Sequence, residues 1–247
     1  MRARHRHLNP RFAGASFVLD ARRIDAANNA KISQWDDISG NANNVTQATT
    51  SKQPTFKTGQ QGGQPIVAFA GAGGMVASSG LGGSTSAISI VVTLKSFQYN
   101  GTAGGGAALS QGASNAFTND MLLARTSSKH FSQFNSGTDG SCEVNDPGSG
   151  AQIQVHLFDG SQTGNANRCK YFFNGVEQTL TYTAAVPASI NPSGAYHVSQ
   201  YSTVPNDTSW YLLGDMCSLS LIKSAISASL RKRLQYCSAY SYKIACS

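Results

Sequence analysis

The stretch Trp35-Asp36-Asp37-Ile38-Ser39-Gly40-Asn41-Ala42-Asn43-Asn44-Val45-Thr46-Gln47-Ala48 decides how this chain is read. An aromatic residue of the kind that cores bury runs into a turn dense in Asp, Ser, Gly and Asn, and the turn empties into alternating residues. Asp and Asn side chains hydrogen-bond to backbone groups two residues on, and Gly supplies a positive φ. A compact, fixed loop is therefore expected, with Trp35 plugging one edge of a β core. Asp36 and Asp37 are the only adjacent acidic pair, but neighbours on an extended chain point to opposite faces. They read as loop-fixing residues.

Around this loop, strand-like runs recur between turn clusters, at 15–19, 65–69, 88–94, 121–124, 129–134, 153–158, 168–173, 176–182, 195–201 and 210–222. Several alternate apolar with polar residues, which gives one buried and one solvated face. Asn174-Gly175 between Phe173 and Val176 predicts a two-residue type I′ hairpin. The glycine-rich segments 59–63, 71–74, 80–83 and 101–106 precede neither a helical pattern nor a Lys-Ser/Thr pair, so they read as turns and not as phosphate-binding loops. One helix is expected, at the C-terminal end. Ser227 caps it, Ile226, Leu230, Leu234, Cys237 and Ile244 fall near helical spacing, and Arg231, Lys232 and Arg233 take the open side.

A length of 247 residues suits one large all-β unit, and neither an internal repeat nor a low-complexity linker divides it. The expected organisation is a basic arm over 1–13 and one domain over 14–247. Hydrophobic residues make up 40% of the chain and charged residues only 13%, so Ser, Thr, Asn, Gln and Gly must supply much of the polar surface. The net charge is +7, and four of the nineteen cationic residues, Arg2, Arg4, Arg6 and Arg11, fall in the first eleven positions with no acid among them. Such an arm gains from neutralisation by nucleic acid, an acidic protein surface or anionic lipid. The apolar run from Phe12 to Leu19 is short and broken by Gly14 and Ser16, which excludes it as a secretory signal. No window approaches a membrane-spanning length. Cys142, Cys169, Cys217, Cys237 and Cys246 lack metal-type spacing, so zinc is not expected. They read as reduced thiols, with Cys142 and Cys169 the pair that could oxidise if the fold brought them together.

The loop at Trp35, the step Lys52-Gln53-Pro54-Thr55-Phe56 and the strand Gly63-Gln64-Pro65-Ile66-Val67-Ala68-Phe69 together resemble the opening of the laminin-G-like, concanavalin A-like lectin/glucanase superfamily found in many bacterial and phage proteins. Phe172-Phe173-Asn174-Gly175 and the run from Gly214 to Ile222 extend the likeness over roughly residues 14 to 244. The resemblance implies an all-β jelly-roll sandwich of two antiparallel sheets with a C-terminal α-helix; strand spacing alone says only sandwich or barrel. One departure matters. The family strand runs on into Asp-Gly and a further Asp, whereas Phe69 here is followed by Ala70-Gly71-Ala72-Gly73-Gly74, so calcium, which relatives could bind there, is not supported and no cofactor is expected.

Members of this superfamily include glycoside hydrolases, but a retaining hydrolase needs two carboxyls about 5–5.5 Å apart, conveniently on one strand face. The chain has two glutamates, Glu143 and Glu177, in unrelated segments, and no alternating acidic pattern. His130, His156 and His197 fall on separate strands with no serine elbow or helical His pair. No catalytic residue is assigned. Sugar binding asks less: an aromatic platform for C–H faces, and amides and hydroxyls for ring oxygens. Tyr201, Asn206, Asp207, Trp210 and Tyr211 form the leading candidate set, with core packing of Trp210 the competing reading. Tyr99, Asn100, Asn115 and Asn119 form a weaker one. The expected role is a non-catalytic, virion-associated accessory or adhesion protein of a phage capsid or tail, or of a bacterial cell surface. The arm would hold other virion proteins, and many copies would bind host surface polysaccharide with avidity. A pure cementing protein and a polysaccharide-cleaving enzyme are the alternatives.

Overall fold

The structure, a computed structural model, describes residues 14–98, 105–112, 121–134, 141–192, 194–201 and 210–246. The arginine arm, the set at Tyr99, Asn100, Asn115 and Asn119, and Asn206 and Asp207 lie outside the described residues. In chain order the elements are β1 (Ala15–Asp20), β2 (Gln34–Trp35), β3 (Val45–Thr46), β4 (Thr55–Gln61), β5 (Gln64–Ala70), β6 (Met75–Ala77), β7 (Ala87–Gln98), β8 (Gly106–Gln111), β9 (Met121–Arg125), β10 (Lys129–Phe134), β11 (Ser141–Asn145), β12 (Gln152–Asp159), α1 (Asn165–Arg168), β13 (Cys169–Phe173), β14 (Val176–Glu177), β15 (Thr181–Tyr182), β16 (His197–Val198), β17 (Leu213–Ile222) and α2 (Ala228–Tyr242).

These strands form two antiparallel sheets. The eight-stranded sheet runs β14-β13-β12-β7-β17-β5-β4, with β1 also on β17; the nine-stranded sheet runs β15-β11-β10-β9-β8-β16-β6-β3-β2. One edge of β17 is divided, with Leu213 to Met216 facing β5 and Ser218 to Ile222 facing β1. The main core lies between the sheets. Ile88, Ile90, Val92 and Leu94 of β7 point into it, while Val91 points the other way, with Ile153 and Val155 of β12, toward α2. Both faces of the eight-stranded sheet are therefore buried at its centre, and β7 reads as a nearly continuous apolar run.

The loop after Trp35 behaves as its composition requires. Trp35 is buried in the main core. Asp37 accepts hydrogen bonds from Val18 N at 2.9 Å, Ser39 N at 2.9 Å, Ser39 Oγ at 2.8 Å and Asn43 N at 3.0 Å. Asn41 Nδ2 donates to Ala15 O at 2.9 Å, which ties the loop to β1. Asn174 and Gly175 take φ of +45° and +92°, and Phe173 pairs with Val176 across the tight turn.

Four expectations are corrected. The run 176–182 is not one strand: β14 pairs with β13 in one sheet, and β15 pairs with β11 in the other, so the chain crosses the sandwich between them. The run 210–222 enters its strand only at Leu213, because Tyr211 bridges to Ala107 and Leu212 N donates to Ser199 O before the backbone turns to the opposite sheet. Likewise, of 195–201 only His197 and Val198 form a strand. At α2, Ser227 caps Leu230 N as expected. Arg231, however, is buried and not on the open side: its guanidinium lies 3.7 Å over the Phe172 ring and donates to Gln235 Oε1 at 2.7 Å. Its long stem and flat, weakly hydrated head let it cover apolar surface. Among the described residues, no helix is long and apolar enough to cross a membrane.

Candidate functional site

Side chains two apart on a strand share a face, so β10 presents two different surfaces. Phe134 belongs to the main core, which places His130 and Ser132 inside with it; Phe131 belongs to a separate cluster on the outside of the nine-stranded sheet. That outer cluster contains Ala107 of β8, Leu122 and Ala124 of β9, Phe131 and Tyr201, with Trp210 packed against it. The Trp210 ring meets Phe131 edge-on with centroids 5.9 Å apart and Tyr201 at a tilt with centroids 6.2 Å apart.

Of the aromatic candidates, the structure brings Tyr201 and Trp210 together. Tyr211 follows in the chain, buried and bridged to Ala107. Trp210 is neither a main-core residue nor a free one; it lies half-buried on the outer face. A close approach fixes it there. Gly105 has φ of +113°, and a Cβ on it would meet Arg125 O at 2.3 Å and Trp210 Cζ3 at 3.3 Å, so only glycine lets the ring lie against this backbone. Phe131 was not among the sequence candidates. Its signal was the alternation of β10, which separates it from His130 and Ser132 but does not say which face meets the indole.

Polar groups border the platform. Glu143 stands opposite Phe131 in the β10–β11 ladder and Thr181 opposite Glu143, so the same outer face carries a carboxylate and a hydroxyl. Gln200, next to Tyr201, holds His197 Nδ1 at 2.7 Å, and burial pushes that imidazole down to about 4. With Phe131 and Tyr201 buried behind it, the partly exposed Trp210 ring can stack on a sugar C–H surface, and amide, hydroxyl and carboxylate groups on the same face can bond ring substituents. Glu177 belongs to the other sheet, where it pairs with Lys170 at 3.3 Å, so the two glutamates do not share a face. A surface depression lined by Phe173, Asn174, Val176, Gln178, Ala245 and Cys246 also lies beside that other sheet; it has no stacked aromatic platform. Among the described residues no cluster of His, Cys, Asp or Glu could hold a metal ion.

A second polar group is sealed between the sheets. His156 Nε2 lies 3.1 Å from Gln154 Oε1, and Gln154 Nε2 lies 3.1 Å from His130 Nδ1. His130 Nε2 is 3.1 Å from Asp146 Oδ1, but off the line a hydrogen bond needs, so that contact is electrostatic. Asp146 also pairs with Arg125. His156 stacks on Tyr171 with centroids 4.3 Å apart. Burial depresses both imidazoles, His156 to about 3 and His130 to about 4, the Arg125 charge helping at His130 and the Asp146 charge opposing. Burial also lifts the Tyr171 phenol well above its usual range. Both histidines are only 1% exposed, so this network is an internal strut and cannot meet a substrate. Sequence reading treated them as separate histidines; Gln154 joins them across the sandwich.

No protein-family model matches the sequence, and no curated protein matches it. Solved structures do. Domain 4 of an extracellular GH43 arabinanase from Geobacillus stearothermophilus, in complex with arabinotriose, matches with a TM-score of 0.56 at 12% identity, over 90% of this chain and 98% of that one. A botulinum neurotoxin type C, which interacts with two ganglioside molecules, matches with a TM-score of 0.54 at 11% identity, over 92% of this chain and 51% of that one. Trypanosoma rangeli sialidase in complex with 2,3-difluorosialic acid matches with a TM-score of 0.53 at 11% identity, over 90% of this chain but only 33% of the sialidase. At such identities the likeness is one of fold. It agrees with the sandwich of two antiparallel sheets that the sequence led us to expect.

Proposed function

We propose that this chain is a non-catalytic glycan-binding module that reads sugar on the outer face of its nine-stranded sheet. The observation that carries the reading is the half-buried Trp210 ring, held between Phe131 and Tyr201, on a sheet face where Glu143 and Thr181 continue the cross-strand row of Phe131. The similar folds support it: nearly the whole arabinanase domain, solved with arabinotriose, overlays on this chain, and a neurotoxin that interacts with gangliosides shares the architecture. The two glutamates on different sheets support binding over hydrolysis.

A glycan array with the full chain tests this, followed by titration of the best ligand against Trp210→Ala. Loss of one stacking ring corresponds to about tenfold weaker binding, roughly 1.4 kcal/mol. An array without a single ligand, or a Trp210→Ala variant that binds like the parent, would sink the proposal. Release of reducing ends from polysaccharide would replace it with the enzyme reading. As part of the same proposal, the chain works in many copies on a virion, attached to a capsid or tail neighbour through Arg2, Arg4, Arg6 and Arg11. The uncompensated charge of that arm and the charge-poor composition support this. Removing residues 2–11 should abolish particle attachment and leave glycan affinity unchanged.

A further inference from the structure

Two thiols from different sheets meet inside the sandwich. Cys142 belongs to β11 of the nine-stranded sheet, and Cys169 opens β13 of the eight-stranded sheet. Both lie in the main core, 4% and 1% exposed. Ser132 stands directly opposite Cys142 in the β10–β11 ladder, and its hydroxyl lies 3.9 Å from Cys169 Sγ. Tyr182 is the partner of Cys142 in the β11–β15 ladder, so Ser132 and Tyr182 flank Cys142 on the inward face that Cys169 meets from the opposite sheet. The other three cysteines are placed differently: Cys217 lies in the cluster beneath α2, Cys237 is half-buried and Cys246 is exposed. All five are thiols in the structure.

We propose that Cys142 and Cys169 form an inter-sheet cystine when the chain folds in contact with a disulfide oxidant. The two S–H bonds break and one Sγ–Sγ bond forms. The two protons and two electrons given up reduce a low-molecular-weight disulfide to two thiols through a mixed-disulfide intermediate. The attacking species is a thiolate, and the neighbouring Cys169 together with burial pushes the Cys142 thiol far up, so the closed sandwich holds almost none. Exchange therefore takes place before β11 and β13 close on one another, and the finished bond is screened from reductants. Its position gives it a use. β11 and β13 each stand one strand in from the end of their sheet, and the outermost strands there, β15 and β14, are two residues long. A covalent link holds together an end of the sandwich where few ladder hydrogen bonds do.

The test is to refold the full chain in an oxidised/reduced glutathione buffer and, separately, with a phosphine reductant, then alkylate in denaturant and map peptides without reduction. The expected product is one linked peptide pair joining Cys142 to Cys169, with Cys217, Cys237 and Cys246 alkylated. The oxidised protein should melt roughly 5–15 °C above the reduced one. In a Cys142→Ser/Cys169→Ser variant the melting point should not depend on the redox buffer. Recovery of folded oxidised protein with both cysteines alkylated, or a link from Cys142 to any other cysteine, would overturn the proposal. The peptide map of the unsubstituted chain decides this even if the variant fails to fold.

Discussion

Lowering the pH from 7 to 4.5 should remove about 5 kcal/mol of stability, through the two histidines sealed between the sheets. In the unfolded chain an imidazole takes up a proton near its ordinary value of 6.5. In the folded chain burial holds His156 neutral down to about 3 and His130 down to about 4. The groups facing them are Gln154, Tyr171, Asp146 and Arg125; the Asp146 charge favours protonation of His130, but burial and Arg125 outweigh it. Below pH 6.5 the unfolded state therefore binds more protons than the native state, and stability falls with falling pH until the folded values are reached. Two pH units at about 1.4 kcal/mol each give about 2.7 kcal/mol per histidine, or about 5 kcal/mol for the two at pH 4.5. That is comparable to the whole stability of an ordinary protein, about 5–15 kcal/mol. The assay is urea unfolding at pH 7, 5.5 and 4.5 for the parent, His156→Gln and His130→Gln. Each variant should be weaker than the parent at pH 7, because a stacked or hydrogen-bonded ring is lost, yet should lose only about half as much between pH 7 and 4.5. A parent whose stability is the same at both pH values, or variants that keep the parent's full acid sensitivity, would refute the reasoning.

Two further substitutions probe the frame. Asp37→Ala leaves two backbone N–H groups that are buried with it, Val18 and Asn43, without their acceptor, and should cost about 3–5 kcal/mol in urea unfolding; Asp37→Asn should recover part of this by keeping one oxygen. Arg231→Ala removes the guanidinium over Phe172 and its bond to Gln235, with an expected loss of about 1–2 kcal/mol and a melting point a few degrees lower; Arg231→Lys should not restore it, since an ammonium cannot stack flat.

The features legible in the sequence are those whose physics is local. Asp37 reaches Ser39 two residues on, Ser227 reaches Leu230 three residues on, and Asn174-Gly175 adopts the positive φ values that an I′ turn requires. Such interactions need only the chain segment that makes them, and strand positions such as Lys129–Phe134 follow from alternation in the same way. Alternation separates two faces of a strand without saying what each face meets. In β12, Gln154 and His156 turn inward while Ile153 and Val155 turn toward α2, the reverse of what polarity alone predicts, because the helix makes the outer face as dry as the inner one. The same limit hid Phe131 as the partner of Trp210 and the inward turn of Arg231. The sequence by itself determined the Asn174-Gly175 turn, the helix cap and the positions of β1, β5, β7, β9, β10, β12 and β13. Only the tertiary structure decided which faces oppose one another, because those contacts join residues far apart in the chain, and their energy depends on which surfaces the sheets and helix remove from water.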